Sequence, residues 1–81
     1  TMSKRVKQIA GCELPSGERL ALRRVEDRAG PALISTHLEL LQGETVLATG
    51  PADIEAVLLQ LGLGRWNLKW MLGHLREVVK L

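Results

Sequence analysis

ALISTHLELL (residues 32–41) alternates cleanly: Ile34, Thr36, Leu38 and Leu40 share one parity, while Leu33, Ser35, His37 and Glu39 share the other. An amphipathic helix would repeat its apolar positions every three or four residues, so period two predicts a half-buried strand. Gln42-Gly43-Glu44 follows as a short hairpin loop, and TVLA (residues 45–48) returns as a fourth, shorter strand. On the other side, Asp27-Arg28-Ala29-Gly30 predicts a turn, with ERLALRRVE (residues 18–26) as the strand before it. There Leu20 and Leu22 point one way, and Arg19, Ala21 and Arg23 the other. Arg24 has the parity of Leu20, which places it past the edge of the core or beside a bulge. Pro15-Ser16-Gly17 marks a further turn. RVKQIAGCEL (residues 5–14) is the first strand, with Val6, Ala10 and Cys12 on one parity and Arg5, Lys7 and Ile9 on the other.

After the fourth strand the period changes. Thr49 or Gly50 can cap a helix, Pro51 suits its first position, and Asp53 and Glu55 complement its dipole. Ile54, Val57, Leu58 and Leu61 then follow helical spacing, giving a helix over residues 51–61 that Gly62 ends. A short hinge leads into RWNLKWMLGHLREVVKL, a second helix over residues 65–80. Its aliphatic face holds Leu68, Met71, Leu72, Leu75, Val78 and Val79, and its basic stripe holds Arg65, Lys69, Arg76 and Lys80. Trp66, Trp70 and Gly73 lie beyond that stripe, away from the aliphatic face. The expected fold is α+β, a single domain over residues 2–81. A four-stranded antiparallel meander precedes two C-terminal helices packed on one face.

Composition narrows the function. The chain of 81 residues is 46% hydrophobic, but its only aromatic residues are the two tryptophans, so the core must be aliphatic. So short a domain buries only about 60% of its unfolded surface, which favours a homodimer or higher homo-oligomer. Cys12 is the only cysteine, so no intrachain disulfide can form, which fits a reducing cytoplasm. Neither a signal peptide nor a membrane-spanning run is evident; Thr1 precedes a native start expected at Met2, and no membrane partner is expected.

The formal charge of +2 is unevenly placed. Residues 1–28 carry seven basic and four acidic side chains, residues 29–64 carry four acids and no Lys or Arg, and residues 65–81 carry four bases and one acid. Two basic ends brought together would build a basic surface. His37, His74 and Cys12 show no catalytic or metal-ligand spacing, and Gly62-Leu63-Gly64 lacks the strand and lysine of a phosphate loop. The chain is therefore expected to be no enzyme and to need no metal or cofactor.

If Leu20, Leu22, Ile34, Leu38 and Leu40 face the helices, the other sheet face carries Arg5, Lys7, Arg19, Ala21, Arg23, Ser35, His37 and Glu39. Long cations beside small side chains suit a phosphodiester chain, whereas a merely solvated face is the plain alternative. The leading expectation is a nucleic-acid-binding protein that prefers single strands. Its contacts would be Arg5, Lys7, Arg19, Arg23, Arg24 and His37, with Arg65, Lys69, Arg76 and Lys80 adding to the field. Trp66, Trp70 and Gly73 are assigned to an oligomer interface, ahead of packing within the monomer or stacking on bases. The alternative function is an assembly module that docks through this tryptophan-bearing helix.

ERLALRRVEDRAGPALISTHLELL followed by TVLATGPADIEAVLLQL resembles the positive-cofactor-four (transcriptional coactivator) group of single-strand DNA-binding proteins. The likeness covers residues 18–61. It implies a homodimer built through helices, with curved sheets offering a groove to single-stranded nucleic acid. By position, Arg19, Arg23 and Arg24 would match that group's basic strand residues. The aromatic residues usual in that group are absent here, the loop before the fourth strand is shortened, and the second helix is an addition.

Overall fold

The computed structural model describes residues 1–79. The elements run β1 (Met2–Glu13), β2 (Arg19–Ala29), β3 (Ala32–Gln42), β4 (Thr45–Thr49), α1 (Pro51–Gln60) and α2 (Arg65–Val79). The strands form one antiparallel sheet in chain order, and both helices pack on the same face of it. The α+β meander with two following helices thus stands as read from the sequence. Residue 80, expected to end the second helix, lies outside the described residues.

Two hairpin loops are tighter than expected. Ala29 pairs with Ala32 across Gly30-Pro31, and Gln42 pairs with Thr45 across Gly43-Glu44. Each loop places a glycine first, at φ 59° and 60° respectively, the conformation a two-residue hairpin demands and a side chain resists. Asp27, Arg28 and Ala29, expected as a turn, are therefore the last residues of β2. The strands gain length, and β1, β2 and β3 run to 12, 11 and 11 residues.

The two helices are too short to cover strands of that length. Their buried residues, Ile54 and Leu58 of α1 with Met71 and Leu75 of α2, meet Leu14 and the cross-strand set Ala10, Leu22 and Leu40, with Leu20 and Leu38. Burying one such side chain stabilises the fold by about 1.5–3 kcal/mol, so this aliphatic cluster is the main source of stability. Beyond Leu38 the first three strands project past the helices, and the molecule measures 41 × 26 × 16 Å.

Register in this projection differs from simple alternation. Gln8 pairs with Arg23 and Ala10 with Leu22, leaving Ile9 as an extra residue. That bulge reverses the parity of everything before it in β1. Lys7 then pairs with Arg24, and Arg5 with Glu26, on the helix-side face. Arg5 and Lys7, expected on the opposite face, are thus moved to the face that bears the core. A second bulge, between Asp27 and Arg28, leaves Ile34 without a direct partner. Ile34, expected in the core, is 58% exposed.

Candidate nucleic-acid interface

Three cross-strand rows make up the helix-side face of the projection. Arg24 stands between Lys7 and Leu38, Glu26 between Arg5 and Thr36, and Arg28 between Ser3 and Leu33. Arg5, Lys7, Arg24, Glu26 and Arg28 together line a recess of about 250 Å³. Arg24 and Glu26 also line a second recess of about 480 Å³, where the sheet meets the helix ends. Its other walls include Leu33, Leu38, Pro51, Val78 and Val79. The two recesses share residues and form one trough, basic along β1 and β2 and apolar toward β3 and the helices.

The charges of the basic wall are only partly balanced. Arg28 donates from Nε (3.4 Å) and Nη2 (3.3 Å) to Oε1 of Glu26, and from Nη1 to the Pro31 carbonyl (3.3 Å). Arg5, Lys7 and Arg24 make no ion pair among the described residues. Lys7 and Arg24 are direct cross-strand neighbours, a placement in which like charges destabilise a sheet.

The opposite sheet face is organised differently. Glu39 accepts from Arg23 Nε and Nη2, both at 2.8 Å from Oε1, while His37 Nε2 lies 3.1 Å from Oε2. Arg23 and His37, expected to contact nucleic acid, are thus engaged with one carboxylate. Val25 and Leu41 are buried on this same face, so it is partly apolar. Arg19 is exposed there, opposite Glu13. Cys12, half-buried on the helix side, has its thiol pushed up by burial, an effect that the charge of Arg19 partly offsets.

The Arg23 guanidinium holds the Glu39 carboxyl below its ordinary value, and His37 adds to this against the opposing effect of burial. A carboxyl depressed in the folded state stabilises the fold at pH above its unfolded value, and that contribution fades as pH falls through the folded value. Glu39→Gln should therefore lower stability at neutral pH, by about 1–2 kcal/mol for a charge-assisted hydrogen bond. Melting curves of the two proteins should converge as pH drops below the usual carboxylate range. A constant gap down to strong acid would contradict this role for Glu39.

The basic residues of α2 do not enter the trough. Arg65, Lys69 and Arg76 are exposed on that helix, with Arg76 Nη2 4.0 Å from Glu55 Oε1 and Lys69 Nζ 6.0 Å from the Trp66 ring centroid. Lys80 lies outside the described residues. Of the expected contact residues, the fold gathers Arg5, Lys7 and Arg24, sets His37 at the wall of the larger recess with its ring engaged by Glu39, and separates off Arg19, Arg23, Arg65, Lys69 and Arg76. It adds Arg28, which reading residues 27–30 as a turn had concealed. The spacing of Arg24, Glu26 and Arg28 at every second residue was the available signal.

The fold and trough define a small α+β protein with a half-covered sheet and a basic, apolar-walled trough. No family model, curated protein or solved structure matches the chain. Among the described residues, no helix is long and apolar enough to cross a membrane. No group of three His, Cys, Asp or Glu side chains among them is placed to hold a metal ion.

Proposed function

We propose that the protein binds single-stranded nucleic acid in the trough on the helix side of its sheet. The observation that carries this reading is the direct opposition of Lys7 and Arg24, flanked by Arg5, with none of the three in an ion pair among the described residues. Such repulsion is relieved by an anion that spans both cations, and a phosphodiester chain supplies anions at regular intervals. The adjoining aliphatic wall of Leu33, Leu38, Val78 and Val79 favours a single strand, whose unpaired bases can lie against it while the phosphates face β1 and β2. A duplex keeps its base faces stacked and would use only the charges. The trough has no aromatic side chain, so affinity rests mainly on charge and sequence preference is slight. This reading rests on the trough rather than on the resemblance of residues 18–61 to a known group.

Fluorescence anisotropy with labelled single-stranded and duplex oligonucleotides, at low and high salt, tests it. Single strands should bind more tightly, and their affinity should fall steeply as salt rises. No binding at low salt would sink the reading, and equal affinity for duplex would remove the role of the apolar wall.

A further inference from the structure

Directly opposite its buried side, α2 presents a stripe of Trp66, Trp70, Gly73 and Glu77, spaced by four, three and four residues. Trp66 is 78% exposed and Trp70 46%. The Trp70 ring meets His74 edge-on, with centroids 4.7 Å apart, so its far side faces outward. The expected interface residues thus share one open surface. Gly73 lies mid-helix, where glycine is the poorest helix former after proline. A Cβ added there would meet nothing within 4 Å, so no contact within the chain requires glycine at this position. Its absent side chain leaves space only on the outside of the molecule.

We infer that this stripe is a two-fold contact with a second copy of the chain, in which the two α2 helices cross antiparallel at Gly73. The charge pattern selects that arrangement. Two-fold symmetry about Gly73 brings each residue before it beside the residue equally far after it in the partner. Lys69 then meets Glu77 of the second copy, four residues either side, and Trp70 meets Arg76, three residues either side. Each pairing occurs twice, one an ion pair and the other a cation against an aromatic face. Glu77 also offers the Trp70 indole N–H an acceptor. A parallel crossing would set Lys69 against Lys69, Arg76 against Arg76 and Glu77 against Glu77. Glycine at the centre lets the two backbones approach. Arg76 is free to turn toward the partner, since its contact with Glu55 is long and its side chain is 71% exposed. The stripe lies away from the trough, so the dimer leaves the basic wall open. A contact through one helix from each copy is small, and it predicts a concentration-dependent equilibrium between monomer and dimer.

Analytical ultracentrifugation of the full chain over a range of concentrations, without nucleic acid, tests the contact independently of ligand binding. The wild type should show a monomer–dimer equilibrium. Lys69→Glu and Glu77→Lys should each weaken it by about tenfold, because each creates two like-charge pairs. The double variant should regain most of the loss. Gly73→Leu should abolish dimerisation while leaving the helical circular dichroism intact. A wild type that stays monomeric at every concentration overturns the inference and leaves the stripe to a different partner. A dimer indifferent to these substitutions, or a double variant no better than the singles, overturns it as well.

Discussion

Replacing Lys7 and Arg24 together with glutamine should weaken single-strand binding about 25-fold at 0.1 M salt without lowering the melting temperature. The size follows from counterion release: each phosphate neutralised on a single strand contributes about 0.7 to the slope of log affinity against log salt. Loss of two contacts lowers that slope by about 1.4. The two outcomes must appear together. A residue placed for stability costs stability when removed. These two cations repel each other across the β1–β2 ladder, so their neutralisation relieves a strain in the free protein. Arg19→Gln on the other sheet face should leave binding unchanged. Arg23→Gln should lower stability through Glu39 and leave the salt slope as it was. Titrations by anisotropy at several salt concentrations, with thermal melts of the same samples, measure all of this. Equal losses for Arg19→Gln and for the Lys7/Arg24 pair would show that binding is diffuse rather than seated in the trough.

The distinction between the two sheet faces was the part of the site least legible in the sequence. Period two along residues 32–41 and helical spacing after Pro51 were enough to order the elements, because each reflects a face that has to be buried. Bulges leave no comparable mark. Ile9 is an ordinary strand residue, yet as the extra residue in β1 it exchanges the faces of Arg5 and Lys7. The turn at Gly30-Pro31 had a similar effect. Asp27, Arg28 and Ala29 look like turn residues by type, but the tight two-residue loop leaves them paired in β2 and carries Arg28 into the basic wall. Long-range pairing decides such cases, and local propensity is too weak a preference to oppose it. By contrast, the parity of Arg24 with Leu20 and Leu22 left two places for it, past the edge of the core or beside a bulge, and the fold puts it past that edge with the β1 bulge alongside. The tryptophans could be set on a helix face from spacing alone. Their exposure depends on which face α2 turns to the sheet, and the aliphatic positions Met71 and Leu75 decide that.

Leu22→Ala should cost the domain about 2–5 kcal/mol, enough to threaten its folding outright. Leu22 is fully buried, between Ala10 and Leu40 on the helix-side face of the sheet. Its removal opens a cavity at the junction of sheet and helices, where Ile54, Leu58, Met71 and Leu75 pack on the sheet. For a domain of this size each kcal/mol corresponds to about 4–8 °C of melting temperature, so a loss of about 3 kcal/mol shifts the midpoint by about 12–24 °C. Ile34→Ala is the matched comparison. By simple alternation Ile34 belongs to the same core face as Leu38 and Leu40, and its truncation would then be as damaging as that of Leu22. At the bulge it is largely exposed, and its truncation should change stability by no more than about 0.5 kcal/mol. Thermal and urea melts of the two variants therefore test the register of β3 together with the end of the core at Leu38. Similar large losses at both positions would mean that residues 33–35 are paired one step away from the arrangement described. Leu33 would then leave the trough face and Ile34 would take its place opposite Arg28, whose own face is held by its regular pairing with β1. A large loss at Leu22 with none at Ile34 keeps the end of the core at Leu38, and with it the open trough face on which Leu33 stands opposite Arg28.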